Sequence, residues 1–383
     1  MAKHIYDILV VGNGYDLALG YDTSYEDFYE SYRTVLDSET GDKIPLSRHN
    51  ARQDLIDNYL EYVKKQANNF FVKYTLGLNR VFNKWCDFES ELGEIIKTLD
   101  YCLDNLVTAE FFKGSYFIKL PNNKSVSNLN IFNYKIIGDW KNFIFTKSPN
   151  KDYQLQIVWR DIDVVPTLVN DNEIKNKFRH VLVKHLYDDF LEYKKLFLLY
   201  LETFVENDAP QSIPNVAGKI IVSYNYTSME KLGLNDALQI HGSNKEGNIV
   251  LGVNDDIKLN TDGLNKFKKL FQRSTLKNNY AINNLTSGAT SIGFYGLSFN
   301  VSDSLTLKNL VLSGNKVNYF YYYGKDKDSR DSLIVNLMNM LEPKTYSKMF
   351  DDGFIQFINS EEVCGWSLSV SEATTYYIVR LIR

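Results

Sequence analysis

Cysteine is scarce in this sequence of 383 residues, which contains only Cys86, Cys102 and Cys364. No two of them have the close spacing of a metal-binding pair, and three cysteines cannot all pair within one chain. We therefore expect free thiols in a reducing compartment and no metal site.

Positive charge and long apolar runs are also scarce. Lysine and arginine number 43 against 47 aspartates and glutamates, a net charge of −4, so we do not expect nucleic acid as a partner. The apolar stretch at 196–201 is far too short to span a bilayer, and the one at 5–11 runs into a glycine turn and does not resemble a signal peptide. These features predict a cytoplasmic protein with no membrane partner.

The rest of the composition, 44% hydrophobic and 23% charged, is that of a globular protein. Short apolar runs typical of strands occur at 5–11, 220–223, 238–240, 249–251, 291–295, 317–323 and 354–358. Helical patterns separate several of them. We predict an α/β, Rossmann-like fold with a mainly parallel sheet, in which the first strand finds its partners far downstream.

The long gap after the first strand predicts two insertions in a nucleotide-binding α/β domain formed by 1–50 and 215–383. Residues 51–110 and 171–214 have few helix breakers, and their apolar residues recur at spacings of three and four, so we predict a large helical part. Residues 111–170 are interrupted by glycine and proline and contain short strand-like pieces, which predicts a small insertion of strands and loops.

The turn Gly12-Asn13-Gly14, followed by Asp16, comes directly after the first predicted strand. A glycine pair there lets the backbone approach a phosphate, and the start of the next helix supplies amide donors. The third glycine of the dinucleotide fingerprint is replaced by Leu17, and no P-loop lysine follows. We predict nucleotide binding, with Asp16 contacting a ribose or capping the helix. The alternative is a tight turn without a ligand.

Polar groups also follow three later strands, and the carboxyl ends of parallel strands meet at one edge of a sheet. Asn225 could hold ribose hydroxyls or orient a water, and His241 could act as a general base near neutral pH. Gly296, Ser298 and Asp303 could hold phosphate or ribose. The structural alternatives are helix caps at Asn225 and Asp303 and a hydrogen-bonded turn at His241.

A further acidic pair, Asp87 and Glu89, lies in a predicted helix. Residues two apart do not share a helix face, so we expect at most one of them to point into a cleft. The alternatives are a site role and a buried cap or salt bridge.

Taken in order, these motifs resemble the AbiH family of bacterial phage abortive-infection proteins. The matching stretches are Gly12-Asn13-Gly14-Tyr15-Asp16-Leu17-Ala18, Thr23-Ser24-Tyr25, Trp85-Cys86-Asp87-Phe88-Glu89, Asn225-Tyr226-Thr227, Ile240-His241-Gly242, and Gly296-Leu297-Ser298-Phe299 with Asp303. Leu297 stands where the family has a histidine. The resemblance implies an antiphage role.

The same series is similar, more distantly, to the SIR2-like domains of antiphage proteins, which bind NAD and in several cases hydrolyse it. That likeness implies Asn225 and His241 as a catalytic pair and a cradle for the dinucleotide that includes Gly12, Gly14, Gly296 and Ser298. Thr227 departs from the group's aspartate. The chain has no zinc-binding cysteine module, which disfavours a sirtuin-type deacylase.

We therefore predict an antiphage protein that binds NAD and hydrolyses its glycosidic bond. The alternatives are a nucleotide-sensing switch without chemistry and a phage-triggered nuclease. An enzyme that consumes NAD must be held inactive in healthy cells, so we expect control by a phage-derived trigger or by a homo-oligomer.

Overall fold

The fold is described from a computed structural model of the chain. It describes residues 4–37, 51–76, 85–104, 108–112, 115–119, 143–147, 153–158, 171–206, 216–228, 237–276, 286–299, 303–314, 316–323 and 327–360.

Twelve strands occur in these residues. In chain order they are β1 (His4–Val11), β2 (Thr108–Phe112), β3 (Ser115–Lys119), β4 (Phe143–Lys147), β5 (Tyr153–Val158), β6 (Val216–Ser223), β7 (Leu238–Gln239), β8 (Gly242–Ser243), β9 (Asn248–Ile249), β10 (Ser291–Tyr295), β11 (Val317–Tyr322) and β12 (Ile355–Asn359). Six of them form the main sheet in the order β12-β11-β10-β1-β6-β7, and all five pairings are parallel.

The order of the main sheet has a direct meaning for ligand binding. When its six strands are renumbered along the chain, the spatial order is 3-2-1-4-5-6, that of dinucleotide-binding Rossmann sheets. The predicted α/β, Rossmann-like fold is thus confirmed. The order reverses between β1 and β10, and ligands of such sheets bind outside the carboxyl ends of the strands at this point.

Ten α-helices occur in the described residues. They are α1 (Asn13–Ala18), α2 (Tyr25–Asp37), α3 (Gln53–Lys65), α4 (Phe70–Leu76), α5 (Trp85–Asp104), α6 (Asp171–Tyr200), α7 (Lys269–Thr275), α8 (Ser304–Leu312), α9 (Lys327–Leu341) and α10 (Pro343–Asp351). A turn of π-helix, Leu201–Val205, continues α6.

The main sheet is covered on both faces. Successive side chains of a strand point to opposite sides, so β1 contributes to two separate cores. Leu9 and Val11 of β1 belong to a core shared with the aromatic faces of α2 and α6. Ile8 and Val10 of the same strand belong to a second core shared with α8 and α9. The uninterrupted apolar run at 8–11 of β1 is typical of a strand covered on both faces.

Two smaller sheets lie outside the main one. Strands β2, β3, β5 and β4 form an antiparallel sheet in that order, mostly within the segment predicted as a strand and loop insertion. The predicted strand at 249–251 is shorter than expected and pairs with β8 in an antiparallel hairpin. Gly242, the first residue of β8, has φ of +70°, and a Cβ atom on it would lie 2.2 Å from the carbonyl oxygen of Asn248. The predicted domain boundaries remain predictions.

No helix in the described part of the chain is long and apolar enough to cross a membrane.

Candidate functional site

The glycine turn after β1 packs directly against the turn after β10. The amide of Gly12 donates to the carbonyl of Tyr295 at 2.9 Å, and that of Gly14 donates to Gly296 at 3.0 Å. A Cβ atom on Gly12 would lie 2.6 Å from Leu297 Cδ2, and one on Gly14 would lie 2.7 Å from Gly296 Cα. Packing within the chain therefore requires both glycines, and neither glycine alone indicates a ligand.

Asp16 lies under this turn and joins it to the loop after β6. Its carboxylate accepts hydrogen bonds from Asn225 Nδ2, at 2.7 Å, and from the hydroxyl of Thr227. Asp16 is 1% exposed, and this burial raises the pKa of its carboxyl to about 7, although the two hydrogen bonds oppose the shift. A buried carboxyl that titrates near neutrality is common at functional sites.

Asn225 is the other member of this cluster with an unusual property. Its side chain is buried, and its carbonyl oxygen Oδ1 has no hydrogen-bond partner among the described residues. Buried polar atoms are nearly always paired in folded proteins, so an unpaired acceptor needs an explanation. A ligand that donates a hydrogen bond is one such explanation.

His241 follows β7 and is held on both sides of its ring. Nδ1 lies 3.1 Å from the carbonyl oxygen of Tyr224, and Nε2 lies 3.0 Å from Asp303 Oδ1. The ring stacks on Tyr226 and is buried. Both nitrogens face oxygen atoms, and each can donate a hydrogen bond only when it carries the proton. His241 can accept a proton from a ligand only in its neutral form and with Nε2 separated from Asp303.

Asp303 contacts Lys269 as well as His241, so these side chains belong to one buried charge network. Its four members are Glu89, Lys269, Asp303 and His241. Lys269 Nζ lies 2.8 Å from Glu89 Oε1 and 3.0 Å from each carboxylate oxygen of Asp303. The side chains of Lys269, Glu89 and Asp303 are 2%, 4% and 17% exposed. The network is electrically neutral when His241 is protonated.

The two carboxylates of the network differ in acidity. Burial raises the pKa of Glu89, and its contact with Lys269 offsets this only in part. Burial would also raise the pKa of Asp303, but the charges of Lys269 and His241 together lower it below its ordinary value. Asp303 is therefore the more firmly ionised of the two carboxylates. Glu89 forms a buried salt bridge with Lys269, which was one of the alternatives predicted for it. The Asp87 side chain lies outside the described atoms.

Four of the predicted site residues thus fall into two clusters, with Asp16 and Asn225 in one and His241 and Asp303 in the other. Asn13 is half-buried, and Ser298 is exposed, with its carbonyl accepting a hydrogen bond from Asn336. No described hydrogen bond joins either side chain to the clusters. Lys269 was missed, because a lysine in a short helix carries no local signal of its partners.

Comparison with known families gives one match. The family model described as "Bacteriophage abortive infection AbiH" matches residues 8–323, more than half of the chain. The chain belongs to the AbiH family. The resemblance predicted from the motifs is confirmed, and membership supports a role in abortive infection by bacteriophage. The matched segment of this AbiH chain contains every predicted site residue, from Gly12 to Asp303. No curated protein and no solved structure matches the chain.

Proposed function

We propose that this AbiH protein binds NAD at the carboxyl edge of its main sheet and hydrolyses the nicotinamide glycosidic bond. The observation that carries the proposal is the side-chain carbonyl oxygen of Asn225, which is buried and has no hydrogen-bond partner among the described residues. Asn225 follows β6, the strand beside β1. In Rossmann sheets with the strand order found here, dinucleotides bind at this edge, which supports the proposal. A ribose hydroxyl is the kind of donor that a buried amide oxygen accepts.

In the reaction, the bond between the ribose C1′ atom and the nicotinamide nitrogen breaks, and its electron pair stays on the nitrogen. Nicotinamide leaves as a neutral base, so no strong acid is needed. The oxygen of a water forms the new bond to C1′, and the proton of that water passes to a base. Asn225 orients the ribose or the water, and a neutral His241, with its proton on Nδ1 facing the Tyr224 carbonyl, takes up the proton at Nε2 once this nitrogen separates from Asp303. General-base help of this kind contributes a rate factor on the order of 10²–10⁴.

The dinucleotide phosphates need donors at the same edge. The amides of Gly12 and Gly14 already donate within the chain, so the side chains of Asn13 and Ser298 are the main candidates for this role. Asn13 is half-buried and Ser298 is exposed to solvent. Gly296 shapes the turn that presents Ser298, since its φ of +72° favours glycine.

A second candidate function is a nucleotide-sensing switch without chemistry. It is favoured by the two acceptors that occupy both nitrogens of His241, because a ring held in this way is not free to act as a base. For either function we propose control by a phage-derived trigger or by oligomer formation, in the cytoplasm.

The test is release of nicotinamide from NAD⁺, followed by mass spectrometry with purified full-length protein, alone and with extract of phage-infected cells. Asn225→Ala and His241→Ala are compared with His180→Ala and Asn265→Ala, which replace exposed residues of the same types. Release by the parent and both controls, but not by the two site variants, would support hydrolysis. NAD⁺ that stabilises the protein thermally but remains intact would favour the sensing switch. If NAD⁺ is not hydrolysed and does not stabilise the protein thermally, both candidate functions are overturned.

A further inference from the structure

The side-chain amide of Asn225 is held in a single orientation by Asp16. Asn225 Nδ2 donates to Asp16 Oδ1, and the Thr227 hydroxyl donates to the other carboxylate oxygen. Above the pKa of Asp16, about 7, its ionised carboxylate only accepts hydrogen bonds, so a flipped amide would then place two oxygens against each other. All three side chains are buried, with exposures of 1%, 2% and 5%, so water cannot readily replace these partners.

The consequence appears at the other end of the same amide. Because Nδ2 faces Asp16, Oδ1 is directed away from it, and this buried oxygen has no partner in the described part of the chain. An amide turned the other way would offer two donors in place of one acceptor. The orientation that Asp16 imposes therefore decides which kind of ligand group can bind there.

We propose that Asp16 is a positioning residue that keeps the Asn225 carbonyl oxygen available, so that the site selects ligands with a hydroxyl donor at this point. The inference rests on the proposed NAD site and specifies it further: the group recognised by Asn225 is a ribose hydroxyl, and an analogue that lacks this proton is rejected. Asp16 itself touches no reacting atom.

Two substitutions separate positioning from charge. Asp16→Asn keeps an acceptor for Asn225 Nδ2 and presents its own amide nitrogen to the Thr227 hydroxyl oxygen, which also accepts hydrogen bonds. Asp16→Leu has a similar size but offers no acceptor, so the Asn225 amide is free to turn. Asp16→Ala replaces the leucine variant if that protein does not fold.

The first measurement is calorimetric binding of NAD⁺ and of analogues in which each ribose hydroxyl in turn is replaced by fluorine, which donates no hydrogen bond. In the parent, one replacement weakens binding about tenfold or more, since a site built for a hydroxyl rejects its analogue. Asp16→Asn retains this discrimination, whereas Asp16→Leu loses it. Equal discrimination in the leucine variant would overturn the proposal.

The second measurement is independent of any ligand. Hydrogen exchange of the Asn225 side-chain amide is followed by nitrogen-15 NMR, with its signals identified by their loss in Asn225→Ala. Slow exchange in the parent and in Asp16→Asn, but fast exchange in Asp16→Leu, supports positioning. Equal exchange in all three overturns it. If the parent does not bind NAD⁺, the proposed function and ligand selection both fail, and this experiment alone still decides whether Asp16 fixes the amide.

Discussion

Replacing Lys269 with methionine should destabilise the protein far more than a lysine substitution ordinarily does. The ammonium group has three carboxylate oxygens within 2.8–3.0 Å, and its side chain is only 2% exposed. Without it, Glu89 and Asp303 are left close together in a buried region. Breaking a buried ion pair from one side typically costs about 3–5 kcal/mol of unfolding free energy.

The assay is guanidinium denaturation followed by the fluorescence of the four tryptophans. Lys268→Met is the matched control, because Lys268 is the half-buried neighbour in sequence, and its loss should change the unfolding free energy by about 0.5 kcal/mol or less. In a double-mutant cycle, Lys269→Met with Glu89→Gln should cost less than the sum of the single substitutions, since the second removes a stranded charge. A loss for Lys269→Met no larger than that of its control would refute the reasoning.

Three further predictions concern other parts of the fold. Because the pKa of Asp16 is raised from 3.8 to about 7, the native parent holds a proton that the unfolded chain releases, and parent stability falls as pH rises through this window. In urea denaturation, the unfolding free energy of Asp16→Asn relative to that of the parent should therefore rise by up to about 4 kcal/mol between pH 4 and pH 8. A difference between the two proteins that does not change with pH would contradict this. Gly296→Ala should lower the unfolding free energy by more than about 2 kcal/mol, because its Cβ would lie 2.3 Å from a backbone nitrogen. Gly247 has a similar φ but open space around it, so Gly247→Ala should lower the unfolding free energy by only about 1 kcal/mol. Equal losses would contradict the close packing of the two turns. Lys219→Ala, which removes an exposed ion pair with Asp7, should lower the unfolding free energy by less than about 1 kcal/mol, and a larger loss would be inconsistent with solvent screening.

Much of the fold follows from local sequence patterns. The strand β1 and its glycine turn are encoded by neighbouring residues, namely a run of apolar side chains ended by glycine, and they occur where the sequence predicts them. The parallel order of the sheet follows from the helices between later strands. The run at 249–251 predicts a strand but not its place in the small hairpin, because a short apolar run does not identify its pairing partner.

The site was predictable only in part. Strand ends identify Asp16, Asn225, His241 and Asp303 as candidates, because the carboxyl ends of parallel strands share one edge. Their pairings depend on side chains brought together from distant parts of the chain, and no spacing encodes them. The role of Lys269 is the clearest case, since its two carboxylate partners lie on other elements of the fold.

Whether the carboxyl edge at Asn225 binds NAD is tested most directly by a calorimetric titration of NAD⁺ into the parent and Asn225→Ala. We expect the parent to bind one NAD⁺ per chain and the variant to bind it about tenfold more weakly or worse, with Asn265→Ala unchanged. The absence of binding to the parent, or equal affinity in the parent and Asn225→Ala, would contradict this expectation.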